Sequence, residues 1–266
     1  MLKLKKSLGQ NFLIDKNIIN KILRLTNITN KNVLEIGPGT GNLTKHLLEK
    51  KPKELLLIEK DKQLCKILNL KFNTFKNYKI YNEDILEFHL NSNFRSEIVF
   101  GNLPYNISTQ ILVKLIKFEK LYPQIEKVVF MFQKEVADRI LAKPNNKNFS
   151  RITILANLKL DVIQNFKVSK NCFFPSPKID SKVIAFKPKT NVKYNIKNIE
   201  NLEKITQIFF SGKRKMINKP FSKIFKNYKE VAKLLNINLN KRPSEMSCEN
   251  FYKITEKYEE INNSKF

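Results

Sequence analysis

The sequence predicts an α/β protein with a mostly parallel sheet, followed by a small helical domain. Three observations carry that expectation. Short apolar runs of strand length recur through residues 33–186, and most of them alternate with stretches of helical spacing, as a parallel sheet with crossover helices requires. A glycine bend, Gly37-Pro38-Gly39-Thr40-Gly41, follows the first such run. Beyond Pro188 the strand signals stop and only helical spacing remains.

The chain opens on a basic arm ending in an apolar and amide cluster, Lys5-Lys6-Ser7-Leu8-Gly9-Gln10-Asn11-Phe12-Leu13-Ile14. Such an arm can fold across a ligand, with Asn11 hydrogen-bonding and Leu13 covering an apolar part; equally, Phe12 and Leu13 can simply pack on the core. Asp15 is placed to cap a helix whose Ile18, Ile19, Ile22 and Leu23 share one face. Residues 33–36 form a buried strand that runs into the glycine bend, and a helix bearing Leu43, Leu47 and Leu48 follows. Glycines at the bend permit unusual backbone angles and close approach of a ligand. The helix N-terminus beyond it favours an anionic group such as a carboxylate. The spacing is GxGxG, not the GxGxxG of dinucleotide folds.

A second strand, 55–58, ends at Glu59, where a carboxylate can accept both hydroxyls of a ribose. A third, 79–81, precedes Asp84, which can accept from an adenine amino group or be an ordinary helix cap before Ile85. The fourth, 98–100, leads into Gly101-Asn102-Leu103-Pro104-Tyr105-Asn106-Ile107-Ser108-Thr109, with Ser108 expected as the cap of the next helix. Asn102 offers a side-chain carbonyl, and the residue before a proline is held extended, which turns the Leu103 carbonyl away from the helix. Two acceptors can then converge on one amino group. The lone pair of an exocyclic purine amine is delocalised into its ring; binding both N–H hydrogens drives the nitrogen toward a pyramidal, nucleophilic state, and a stacked Tyr105 would hold the base. The plainer alternative is a polar loop with a turn proline. In order, the glycine bend, Glu59, Asp84 and Asn102 fall at successive strand ends and point to an adenosine-containing cofactor.

Residues 127–132 read as a fifth strand and 133–142 as a helix; 143–148 is a polar loop, touching substrate or merely solvated. Residues 151–159 fit helix or strand, and 162–168 and 183–186 read as strands. Between the last two, Phe173-Phe174-Pro175-Ser176-Pro177 makes a proline-framed loop whose aromatic can stack on a base opposite Tyr105 or pack in the core. Residues 188–194 are a linker, and 200–210, 229–235 and 248–261 have helical spacing. The expected division is a first domain at 1–189 and a helical one at 190–266. In the latter, Lys213, Arg214, Lys215, Lys219, Lys223, Lys226, Lys229 and Lys233 stand among Phe221, Phe225 and Tyr228. That interleaving suits a nucleic-acid surface, or a solvated helix face.

Lys+Arg of 50 against Asp+Glu of 24 gives a net charge of +26, a bias toward polyanions. Lys, Asn and Ile all have A/T-rich codons, so the sign is more informative than the size. Cys65, Cys172 and Cys248, with His46 and His89, lack metal-ligand or disulfide spacing, so no metal is expected and the thiols read as idle in a reducing compartment. No secretory h-region is seen, and the longest apolar runs are strand-sized, which excludes a membrane-spanning helix.

Ser7 to Leu13, Glu35-Ile36-Gly37-Pro38-Gly39, Phe100 to Thr109, Gln133-Lys134-Glu135-Val136, Pro175 to Ser181, and Arg242-Pro243-Ser244-Glu245 with Phe251 together resemble the small-subunit ribosomal RNA adenine dimethyltransferases. The resemblance spans both domains. It implies a class I, Rossmann-like methyltransferase with a seven-stranded sheet, S-adenosylmethionine as methyl donor, and dimethylation of two adjacent adenosines in a hairpin loop near the 3′ end of small-subunit RNA. By position, Asn11, Leu13, Gly37, Glu59, Asp84 and Asn102 would contact the donor, while Asn102, Leu103, Pro104, Tyr105 and Phe173 would hold and activate the adenine. Lys213, Arg214 and Lys215 would meet RNA. Action on the small ribosomal subunit is implied, in a cytoplasmic setting that leaves bacterial cytoplasm and organelle open; no coiled-coil heptads suggest a dimer, so a monomer is expected. Two departures bear on RNA docking: Phe149-Ser150-Arg151 stands where a glycine precedes arginine in the family, and Lys213-Arg214-Lys215-Met216 replaces an arginine-rich run. Competing readings are a large-subunit resistance methyltransferase, associated with isoleucine at the position of Leu103; a nucleic-acid-binding assembly or transcription factor; and, distantly, a dehydrogenase.

Overall fold

The computed structural model describes residues 11–89, 96–118 and 121–263. The arm motif Ser7-Leu8-Gly9-Gln10, with Lys5 and Lys6, lies outside the described residues. The contacts divide the chain into two compact units, residues 1–137 with 161–190, and 138–160 with 191–266. The expected boundary near 189–190 coincides with one of these junctions, but residues 138–160, assigned to the first domain from sequence, group with the C-terminal helices.

The first unit is built on a seven-stranded sheet, from β2 (Asn32–Ile36), β3 (Glu54–Ile58), β4 (Tyr78–Tyr81), β5 (Ile98–Asn102), β6 (Lys127–Gln133), β7 (Leu160–Val168) and β9 (Ser181–Pro188). Its order is β4-β3-β2-β5-β6-β9-β7. Strands β2 to β6 run parallel, and β9 inserts antiparallel against β6. β2 is a buried central strand: Val33, Leu34, Glu35 and Ile36 are each at most 3% exposed, the near-continuous burial of a strand covered on both faces. The chain winds one way from β2 through β3 to β4, then returns to place β5 on the other side of β2. Ligands of open α/β sheets sit where that order reverses, beyond the carboxyl ends of the strands; here that is the end of β2 and β5.

The crossovers are α2 (Asn42–Glu49), α3 (Lys62–Lys71) and α4 (Ser108–Lys117). Ahead of the sheet stands α1 (Lys16–Leu23), capped as expected by Asp15, whose Oδ1 accepts from the Ile18 N–H at 2.9 Å. The cap expected at Ser108 is displaced by one residue. Ile107 takes the cap position and Ser108 is the first helical residue, its Oγ donating to the Tyr105 carbonyl at 3.3 Å. A short helix, α5 (Leu121–Gln124), precedes β6, and α6 (Lys134–Ile140) follows it. A two-stranded antiparallel ribbon, β1 (Phe12–Leu13) with β8 (Phe173–Phe174), was not expected; it pairs Phe12 with Phe174 and Leu13 with Phe173.

In the second unit, 151–159 is resolved as α7 (Arg151–Lys159). Its ambiguity in sequence has a physical cause: residues from Ile152 through Leu158 are buried almost all round, which erases the helical period. Ser150, the departure from glycine, caps α7 in extended conformation, its N–H donating to Thr153 Oγ1 at 3.1 Å, so nothing there requires a glycine. The remaining helices are α8 (Ile199–Phe210), α9 (Asn218–Ile224), α10 (Tyr228–Leu234) and α11 (Cys248–Asn263). Phe209 is their hub, with its ring 5.8 Å from Phe221 and 5.4 Å from Phe251, both edge-on.

Candidate active site

The carboxyl ends of β2, β3 and β5, with the turn after β4, surround one cavity lined by Asn11, Gly37, Glu59, Asp84, Asn102 and Tyr105, among others. Leu13, Leu103 and Pro104 also line it. The structure therefore brings together every expected donor-binding residue, and all of the expected adenine-binding residues except Phe173.

The glycine bend leaves β2 with positive φ at Gly37 and Gly39, +68° and +59°. At Gly39 the need is also one of space, since a Cβ there would lie 2.7 Å from the ring of Phe12. The β1 segment thus rests on the bend, and its backbone is tied on both sides. Asn42 Nδ2 donates to the Leu13 carbonyl at 2.8 Å, and Asn102 Nδ2 donates to the Asn11 carbonyl at 2.9 Å. The second bond sets the orientation of the Asn102 amide. Its nitrogen is committed to the arm, and its oxygen is the acceptor it keeps for a ligand.

Glu59 is 8% exposed. Its Oε1 accepts from the Asp61 N–H at 2.8 Å and its Oε2 from the Gly39 N–H at 3.2 Å, so the carboxylate is aimed by backbone and each oxygen keeps lone pairs for ribose hydroxyls. Burial pushes its pKa up, against those amide bonds. Asp84 acts as a cap, although of a turn and not of the helix expected before Ile85. Oδ1 caps the next turn by accepting from the Leu86 N–H at 2.9 Å; Oδ2 takes Lys60 Nζ at 2.6 Å, and the residue lines the cavity. Burial alone would raise its pKa, but Lys60, the Leu86 amide and the Lys114 charge outweigh it and hold Asp84 below the ordinary carboxylate range.

Tyr105 stands half-buried, its hydroxyl 2.9 Å from Oγ of the fully buried Ser181 at the start of β9. Leu103 is 1% exposed and packs its side chain inward, so only its carbonyl is available for the role expected of it. Phe173 departs from expectation. It is 3% exposed within the hydrophobic core, while Phe174 beside it is 63% exposed. Pairing with β1 sets this alternation, because successive strand residues face opposite sides. A stacking role for Phe173 is thus not presented by this structure.

Two residues in contact with the site were not singled out from the sequence. Glu35, in the strand just before the bend, is 2% exposed, lines the cavity and accepts from Thr44 Oγ1 at 2.7 Å. A lone acid in an otherwise apolar strand is the signal that could have singled it out. Ser181 gave no local signal of contact with Tyr105.

In the second unit, Arg214 and Lys215 are exposed and Lys213 half-buried in the turn between α8 and α9, where Lys213 Nζ donates to the Lys147 carbonyl. Burial and the neighbouring Arg139 charge lower the Lys213 pKa. Of the aromatics expected to interleave with these cations, two are core residues, Phe221 at 0% and Phe225 at 4% exposed, and Tyr228 is half-buried. Arg214 and Lys215 face outward, as do Lys219, Lys223, Lys226, Lys229 and Lys233. Among the described residues, no helix is long and apolar enough to cross a membrane.

A parallel sheet with an antiparallel β9 beside β6, carrying its acids and its Asn-Leu-Pro-Tyr turn at successive strand ends, defines a class I S-adenosylmethionine-dependent methyltransferase. Solved structures agree. A dimethyladenosine transferase from Plasmodium falciparum matches with a TM-score of 0.78 at 27% identity, over 94% of this chain and 98% of that one. The 23S rRNA methyltransferase ErmE matches at 0.68 and 21% identity, over 94% and 100%, a likeness of fold alone. A Ribosomal RNA small subunit methyltransferase A from Pelagibacter ubique is 49% identical over 260 residues, 97% of this chain and 98% of that protein. One from Mycoplasmopsis synoviae is 42% identical over 240 residues, 89% of each. The family model described as Ribosomal RNA adenine dimethylase matches residues 1–260, and the chain belongs to that family.

Proposed function

We propose that this protein transfers methyl groups from S-adenosylmethionine to the N6 amino groups of two adjacent adenosines in a hairpin loop near the 3′ end of small-subunit (16S) ribosomal RNA, during assembly of that subunit. The observation that carries this reading is the Asn102 amide, oriented by the Asn11 carbonyl beside a cavity that also presents Glu59 and Asp84.

S-adenosylmethionine supplies, when bound, an electrophilic methyl on a sulfonium. The residues present suit it: Glu59 has acceptors for ribose hydroxyls, Asp84 for an adenine amine, and the glycine bend admits close approach of a backbone-bound carboxylate. Asn102 Oδ1 and the Leu103 carbonyl bind the N–H groups of the target amine, which localises its lone pair on nitrogen. Tyr105, braced by Ser181, holds the base in position, and the base must leave its stack to get there. The alkylated amine is acidic and gives its proton to these acceptors or to water, so no strong general base is required. Positioning and electrostatics supply the rate. Lys213, Arg214 and Lys215 bind RNA phosphates. The protein acts as a monomer, and in the cytoplasm, where its RNA substrate is assembled.

The test is transfer of labelled methyl to under-methylated small subunits, with large subunits in parallel, followed by nucleoside analysis. Dimethyladenosine confined to the small subunit is expected. Label in the large subunit would favour the resistance enzyme; donor binding with no transfer to either would favour a binding factor.

A further inference from the structure

Among the residues that line the cavity, the mechanism above leaves the buried carboxyl group of Glu35 without a role. Glu35 sits on β2, between β3, whose end carries Glu59, and β5, whose end carries Asn102; in register it lies between Leu57 and Phe100. If Glu59 holds the ribose and Asn102 the target amine, a sulfur that passes its methyl in line from one to the other must lie over the carboxyl end of β2. Glu35 lines the cavity there, nearly inaccessible to solvent, and Thr44 Oγ1 donates to its Oε2.

We propose that Glu35 reads the charge of the donor: it receives the sulfonium as a carboxylate, releasing its proton to solvent, so that the cavity prefers the cationic donor to the neutral thioether left after transfer. The inference rests on the methyltransferase reading and deepens it. Only the carboxyl O–H bond breaks, its proton passing to water; once the methyl has gone, the carboxylate regains a proton from water and its attraction for the product is lost. Both ligands share the ribose, the adenine and the amino-acid group, so those contacts cannot tell them apart. The sulfonium charge can.

The resting state of Glu35 agrees with this. Burial pushes its pKa up to about 8, opposed by the Thr44 hydroxyl and reinforced by the Glu59 charge at the end of β3. The other titratable groups around the cavity, Lys60, Glu83, Asp84 and Tyr105, come from other strand ends. At pH 7 the empty site therefore holds Glu35 mostly protonated. A cation bound beside it lowers that pKa, so affinity for the donor rises with pH up to about 8, approaching tenfold per pH unit.

The test is calorimetric titration of the full chain with S-adenosylmethionine and with S-adenosylhomocysteine, at pH 6 to 8, in buffers of different ionisation enthalpy. Donor binding at pH 7 is expected to release close to one proton and product binding far less. Glu35→Gln, which keeps the shape of the neutral acid, should abolish that difference and cut the preference for donor about tenfold. Glu59→Gln should weaken both ligands alike. Thr44→Val, which leaves the carboxyl in place but removes its hydroxyl donor, should move the pH profile upward, and it serves if the Glu35 variant does not fold. Equal proton release by the two ligands, or an unchanged profile in Thr44→Val, overturns the proposal. A folded protein that binds neither ligand overturns the methyltransferase reading, and this inference with it.

Discussion

The strand ends of the first unit and the basic turn of the second carry polar residues of very different kinds. At the ends of β2, β3 and β5 each side chain is aimed by a named partner: Glu59 by the Asp61 and Gly39 amides, Asn102 by the Asn11 carbonyl, Tyr105 by Ser181. Around the α8–α9 turn, Arg214 and Lys215 extend into solvent from a unit whose Phe209, Phe221, Phe225 and Phe251 are all turned inward. The first arrangement suits chemistry, where an ångström matters. The second suits a polyanion, where the sum of charge matters more than any one angle.

If that contrast is right, substitutions at strand ends act steeply and singly, and those in the basic turn act gently and in proportion to number. The steepest expected loss is at Asn102. Asn102→Ala should lower single-turnover methyl transfer by about 10²–10³, well beyond its effect on donor affinity; a rate loss no larger than the affinity loss would reduce Asn102 to a tether for the arm. Next comes Glu59→Ala, which removes the ribose acceptors and should cost about 1.5–3 kcal/mol of donor binding by calorimetry. Tyr105→Phe keeps the ring and loses only the bond to Ser181, so about 1 kcal/mol of stability or less is expected in urea melts, with the effect on rate read in KM for RNA. The gentlest changes are in the basic turn. Replacing Lys213, Arg214 and Lys215 by Ala should flatten the dependence of RNA affinity on salt, by about 0.7–0.9 of logarithmic slope for each phosphate no longer neutralised, and leave donor affinity alone. A steep loss from Lys215 alone would erase the contrast between the units.

The same contrast explains what could be read in the sequence. Glu59, Asp84 and Asn102 were legible because an acid or amide at the end of an apolar run is both a chemical and a positional signal. The β1–β8 ribbon was not: two residues pairing with two others far along the chain leave no periodicity. Without that pairing, nothing decides which of Phe173 and Phe174 faces inward, and the sequence left stacking and core packing both open. The lysines among Phe221 and Phe225 could be read in two ways for a related reason. A core stripe with solvated residues between its members and a stacking surface interleaved with cations have one and the same pattern in sequence. Glu35 was passed over because its strand read as core, although its charge was out of place there.

The insertion of β9 has a consequence for how the molecule comes into being. β7 reaches the sheet only through β9, which is made after it and lies between it and β6. The brace on Tyr105 also comes from β9, 76 residues further along the chain. A nascent chain that has emerged only as far as β7 thus holds the glycine bend, Glu59 and Asn102 on a sheet with β6 still unpaired on one edge. It lacks the Ser181 hydroxyl that meets Tyr105. The strand ends that carry Glu59 and Asn102 can thus be in place before either Ser181 or β8, the partner of β1, has been made.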